Sequence, residues 1–274
     1  MFIIPARDQV WEISSPQVMG ILNTTTDSFY AQSRYSSTDL ALAKATEFYE
    51  QGATIIDIGG QSTRPGATQV DLADEIKNVL PVIKAIKKQF PQFLLSIDTY
   101  QASVAQAALD AGANIVNDIS CGSFDPDMLK LVSDQKAGFV GMHITGNAQT
   151  MHAIETRTDI MQSMLTYFEK KRQHLASIGI QQWVMDPGFG FGKTLEENFA
   201  IIKYLKAFEI LKMPILLGVS RKSSIYKTLN ITPQEALNGT TVVNTVGLLN
   251  GASVVRVHDV KQAQEIIQLL PYLK

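Results

Sequence analysis

Polar side chains follow eight short apolar runs of this chain, and they divide into two chemistries. Asp98, Asn117 and Asp186 offer carboxylates and one amide, which suit a flat heterocycle bearing N–H donors and ring acceptors. Asn23, Arg256 and His258, with Thr63, suit an anion such as diphosphate, and the Asn23 amide oxygen also suits Mg2+. Lys222 stands between the sets as a point charge or donor. Each has a plainer reading: Arg256 paired with Asp259, His258 buried and satisfied, each carboxylate a loop cap. No His/Cys cluster has zinc-ligand spacing, and no nucleophile elbow accompanies a Ser-His-Asp set.

The densest stretch is Trp183-Val-Met-Asp186-Pro-Gly-Phe-Gly-Phe191-Gly-Lys193. An apolar run ends in a lone carboxylate, and Pro187 biases Asp186 away from helix, as at a strand terminus. The glycines that follow allow a sharp turn and close approach to a ligand. Turn formation alone is the competing explanation.

The elements that must position these residues alternate along the whole chain. Apolar runs at 18–22, 54–58, 93–97, 115–116, 138–142, 184–185, 214–219 and 254–257 read as buried strands. Amphipathic segments at 39–51, 72–90, 102–111, 126–134, 161–178, 195–207, 234–249 and 261–270 read as helices. Eight strand–helix pairs predict a single (β/α)8 TIM barrel over residues 1–274, with a short lead-in at 1–16. Such barrels carry their chemistry at the C-terminal strand ends, where these polar residues stand. A doubly wound open sheet is the rival, weakened by the lack of G-x-G-x-x-G after the first strand and of a Walker A sequence. Polar segments 30–38 and 144–158 read as lids.

Composition narrows the class. With 274 residues, 45% of them hydrophobic, the chain can bury a large core. A net charge of −2 argues against a broad nucleic-acid surface, though not against a basic pocket. No run is long enough to span a membrane, and the N-terminus lacks a signal-peptide pattern. The single cysteine, Cys121, excludes an intrachain disulfide and fits a reducing, cytoplasmic setting.

The motifs together resemble the dihydropteroate synthase family from about Val18 to Val260. They are Met19-Gly-Ile-Leu-Asn23, Asp27-Ser-Phe29, Ile56-Asp-Ile-Gly-Gly60, Ser62-Thr-Arg-Pro-Gly66, Ser96-Ile-Asp98 and Asn117-Asp-Ile119. Met142-His143, the 186–193 stretch, Gly218-Val-Ser-Arg-Lys222 and Arg256-Val-His-Asp259 complete the set. The resemblance implies a folate-pathway transferase that joins 6-hydroxymethyl-7,8-dihydropterin diphosphate to 4-aminobenzoate in an SN1-like displacement. By the same resemblance Asp98, Asn117, Asp186 and Lys222 would hold the pterin, and Met142, Phe191 and Gly218 would shape its pocket. Asn23, with Mg2+, Arg256 and His258 would hold the diphosphate. Thr63, Arg64, Pro65, Ser223 and Phe29 would meet the aminobenzoate. A homodimer built on apolar helical faces within 195–270 is also implied.

The chain departs from the family mainly in its loops. Thr26 replaces a proline, Ala31, Gln32 and Ser33 replace an aspartate and two glycines, and Gln61 replaces a glutamate. Met142-His-Ile-Thr-Gly146 replaces M-H-M-Q-G. These changes bear on loop order, rate and aminobenzoate or sulfonamide affinity more than on substrate class. They motivate one alternative, a pterin-binding paralogue with reduced or lost turnover. A pterin methyltransferase on the same barrel is a second, opposed by the cationic motifs at 220–222 and 256–258. A general phosphate-binding barrel is the residual one.

Overall fold

The computed structural model describes residues 1–24, 37–61, 71–147, 149–150, 153–154 and 159–273. Phe29, Thr63, Arg64 and Pro65 fall outside them, as do Thr26, Ala31, Gln32, Ser33 and parts of the two expected lids.

The lead-in at 1–16 contains a hairpin of β1 (Phe2–Ala6) and β2 (Gln9–Ile13), paired antiparallel. Alternation in both strands buries one face only: Ile4 and Ala6 on β1, Trp11 and Ile13 on β2. Then follow β3 (Gln17–Asn23), β4 (Ile55–Gly59), β5 (Leu94–Asp98), β6 (Ile115–Asp118), β7 (Gly138–Met142), β8 (Val184–Asp186), β9 (Leu216–Leu217) and β10 (Val254–Val257). Among the described residues these eight form one parallel sheet in the order β8-β7-β6-β5-β4-β3-β10-β9. A parallel bridge between Met185 and Ile215, with Met185 N–H donating to Pro214 O at 2.9 Å, joins its two edges. The predicted barrel is therefore closed.

The helices are α1 (Ser37–Glu50), α2 (Leu72–Gln89), α3 (Ala102–Asp110), α4 (Met128–Gln135), α5 (Ile160–Ser177), α6 (Leu195–Lys203), α7 (Ser223–Tyr226), α8 (Leu237–Leu249) and α9 (Val260–Leu273). Local chemistry starts several of them. Asp71 and Asp159 accept from the first N–H groups of α2 and α5, and Thr194 with Glu197 forms a capping box on α6.

Three expected elements end differently. The seventh strand, expected over 214–219, pairs only at Leu216–Leu217. Pro214 has no N–H to give, and Gly218 brings no side chain to pack. The helix expected over 195–207 stops at Lys203 and continues as a 3-10 segment, Leu205–Leu211. Leu205, Phe208 and Leu211 are its buried residues, a spacing of three that suits three residues per turn. The helix expected over 234–249 begins as a separate 3-10 turn, Pro233–Glu235.

The barrel interior is layered by the two-residue period of its strands. Met19, Ile55, Leu94, Ile115, Val140, Val184, Leu216 and Val254 pack with Ile4, Ala6, Trp11 and Ile13 in one apolar cluster. The hairpin thus plugs the N-terminal end, and Trp11 Nε1 donates to Gln17 Oε1 at 2.8 Å. Two residues further along each strand stand Ile21, Asp57, Ser96, Asn117, Met142, Asp186, Gly218 and Arg256. Two further still stand Asn23, Gly59, Asp98, Ile119, Ile144, Ser220 and His258. Floor and mouth therefore belong to the same faces of the same strands.

Candidate active site at the barrel mouth

Arg256 organises the mouth. Its Nε donates to Asp57 Oδ2 at 2.5 Å and its Nη2 donates to Asp98 Oδ2. Asn117 Nδ2 donates to the same Asp57 Oδ2 at 2.9 Å. Three strands are thereby tied to β10 by polar contacts. The pairing with Asp259, the plainer reading of Arg256, does not form. Asp259 instead takes a two-pronged bond from Arg221, 3.0 Å from Nε and 2.8 Å from Nη2.

Glycines show how closely the remaining groups approach. A Cβ added at Gly218 would lie 3.8 Å from Asp186 Oδ2 and 4.0 Å from Arg256 Cβ. One at Gly59 would lie 3.4 Å from Asn23 Oδ1 and 3.7 Å from Asp98 Cβ. Gly190 lies beside the Lys222 chain, whose Nζ sits 4.3 Å from the centre of the Phe191 ring and donates to Phe189 O. Asp186 accepts from Gly188 N–H at 2.7 Å. Asn23, Asp98, Asn117, Asp186, Lys222, Gly218 and Arg256 thus meet at one end of the barrel.

The other site residues surround them. Met142 belongs to an apolar cluster with Ile119 and Ile144, against which Phe191, Tyr100 and Phe124 pack. His258 Nδ1 lies 2.9 Å from Ser220 Oγ. Ser223 opens α7, directly after Lys222.

Strand parity separates neighbours that look alike in the chain. Asp118, one residue past Asn117, faces outward and accepts from Ser120 N–H and O–H at 2.7 Å each and from Gly122 N–H at 2.6 Å. His143 follows Met142 and stacks edge-on with Tyr167 of α5 at 4.8 Å.

Sequence reasoning missed Asp57 and Lys193. Asp57 sits in mid-strand in the wholly buried run of β4, and that charge among apolar neighbours was the available signal. Lys193, also buried, donates from Nζ to Gly188 O at 2.8 Å, Phe191 O at 3.1 Å and His143 O at 3.4 Å. It holds the glycine-rich turn in shape.

Burial sets the electrostatics. It pushes Asp98 up to about 7 against the pull of Arg256, with Asp57 and Glu75 adding to the rise. Burial also raises Asp186, opposed by Lys222. Lys222 is pushed down to about 8 by burial, opposed by Asp186. Burial would lower Arg256 too, but Asp57 and Asp98 hold it above its usual range, so it stays charged. If chemistry needs ionised Asp98 and charged Lys222, kcat/KM will rise through pH about 7 and fall beyond pH about 8. A profile flat across the neutral range would rule that requirement out.

Acids, cations and an apolar wall brought together at one end of the barrel suit a flat, polar-edged ring carrying an anion. The model of the family described as pterin binding enzyme matches residues 19–258. The chain belongs to the pterin-binding enzyme family. A dihydropteroate synthase of Synechocystis sp. is 41% identical over 255 residues, covering 92% of this chain and 88% of that protein. The structure of Xanthomonas albilineans dihydropteroate synthase with 4-aminobenzoic acid superposes with a TM-score of 0.91 at 31% identity, over 99% of this chain and 97% of that one. The same enzyme in complex with 7,8-dihydropteroate gives 0.89 at 27% identity, over 99% and 98%.

Proposed function

We propose that this chain is a dihydropteroate synthase, condensing 6-hydroxymethyl-7,8-dihydropterin diphosphate with 4-aminobenzoate to give 7,8-dihydropteroate and diphosphate. The observation that carries the reading is the Asp57–Arg256–Asp98 cluster beside Asp186 and Lys222, an acidic cradle with fixed cations at one mouth. The relatives' names and the bound aminobenzoate and dihydropteroate of the structural neighbours support it.

The chemistry follows from the charges. A departing diphosphate accumulates negative charge, and Arg256 and His258 supply donors for it. The carbon left behind is a methylene cation conjugated with the pterin, and Asp98 and Asp186 stabilise positive charge spread into that ring. Asn117 and Lys222 complete the ring's hydrogen bonds, while Met142, Phe191 and Gly218 form its walls. An aromatic amine is a modest nucleophile, so its placement and the exclusion of water govern the SN1-like step. Ser223 follows Lys222 at the mouth and is assigned to the aminobenzoate, as are Phe29, Thr63, Arg64 and Pro65, which follow β3 and β4 in the chain.

Mg2+ fits in one way. Among the described residues no group of three His, Cys, Asp or Glu side chains is arranged to hold a metal. The Asn23 amide oxygen, beside Gly59 at the mouth, is a hard oxygen donor of the kind Mg2+ takes when phosphates and water complete its shell. Bound there, the ion supplies charge neutralisation for diphosphate. The exposed row Val242, Val246 and Leu249 along α8 supports a homodimer. No described helix is long and apolar enough to cross a membrane. The single cysteine is buried and free, which supports the reducing, cytoplasmic assignment.

Diphosphate release from the pterin substrate, followed with and without 4-aminobenzoate, tests the reading. Release that depends on the amine, with dihydropteroate formed, is the expected result. Tight pterin binding without release would instead establish the paralogue that the altered first loop suggests.

A further inference from the structure

We infer that Asp57 is the positioning residue that fixes which way the Asn117 amide faces, and so which hydrogen-bond pattern the mouth shows a pterin ring. The inference rests on the proposed function only in taking that ring as the ligand.

The Asp57 carboxylate is wholly buried one layer below Asp98, and its Oδ2 receives Arg256 Nε. A carboxylate engaged by a guanidinium only accepts hydrogen bonds. Asn117 meets that same oxygen, so its NH2 must be the end that faces Asp57. The reverse orientation would set amide oxygen against carboxylate oxygen with no proton between them. Asn117 therefore keeps its Oδ1 and one N–H for a ligand, and an edge with one amino donor and one ring acceptor matches that pair. Packing does not account for the carboxylate. Asp57 Oδ1 is buried with no hydrogen-bond partner among the described residues, a cost that an apolar residue like neighbouring Ile55 or Ile58 would not incur.

The Asp57→Asn variant keeps the shape but adds a donor, which frees Asn117 to turn over. The readout is calorimetry with 6-hydroxymethyl-7,8-dihydropterin, lacking the diphosphate, and with the analogue whose ring amino group is replaced by hydrogen. Wild type will prefer the amino ligand, and D57N will lose that preference by about tenfold, the scale of one well-aligned hydrogen bond. In an Asn117→Ala background, Asp57→Asn will add no further loss of preference. Equal weakening of both ligands in D57N, or an undiminished loss in the Asn117→Ala background, overturns the inference. If D57N does not fold, the Asn117 side-chain amide protons of wild type decide. Slow solvent exchange supports the bond to Asp57, and exchange at the free rate overturns it. Wild type that binds no pterin would sink the proposed function, whereas wild type that binds while D57N discriminates normally would sink this inference alone.

Discussion

Arg256→Met will lower stability by about 3–5 kcal/mol at mildly alkaline pH, because it strands buried carboxylates without their cation. It will also lower kcat/KM by about a hundredfold or more, the scale of removing one preorganised charge from a transition state. Methionine fills much of the same volume, so the loss reads charge rather than packing. The stability loss will depend on pH, with a sign set by Asp98. Burial already holds that group at about 7, above its unfolded range, with Arg256 opposing the rise. Without the guanidinium its folded value climbs further. A group raised in this way favours folding fully below its unfolded pKa, and that contribution is lost as pH rises through the folded one. The variant and wild type should therefore melt closer together in acid than in alkali. A gap that widens toward acid would show that Arg256 is not what offsets the burial of these carboxylates.

Trp11→Ala will cost about 3–5 kcal/mol, the range for emptying a large aromatic site in a packed core. Trp11 is wholly buried, packs against the lowest inward layer of the barrel and holds Gln17 at the start of β3. Trp11 lies among the floor residues, and the side chains assigned to substrate begin only in the next layer, two residues further along each strand. The KM for the pterin substrate should stay within about twofold of wild type, since a distant, independent site perturbs it little. Chemical denaturation and steady-state kinetics on the same preparation check both halves. An unmoved midpoint would mean the hairpin is not a plug, and a KM rise matching the stability loss would mean floor and mouth are one unit.

Local chemistry carried much of the design. Strands buried on both faces and alternating with amphipathic helices implied a parallel sheet covered by helices, and their number and the missing dinucleotide and Walker motifs favoured the closed barrel over an open sheet. The polar residues after each run then named the mouth, and Asp98, Asn117, Asp186, Lys222 and Arg256 do converge there. Parity was beyond the chain's local pattern. Asn117 and Asp118 are adjacent and both polar, yet one faces the interior and the other caps a turn outside. Which faces in depends on the register across the whole ring. The plug at 1–16 was equally hidden, since its alternation acquires meaning only against the barrel floor.

The partners of Arg256 were the furthest from view. Asp259, three residues away, was the local choice, but the guanidinium reaches Asp98 and Asp57, 158 and 199 positions earlier. Closing the barrel sets β10 beside β3 and brings both carboxylates across its interior, a contact no local spacing encodes. Sequence alone determined the class of fold and the chemical inventory. Tertiary structure decided which charge meets which, because pairing in a closed barrel follows register and shear rather than distance along the chain.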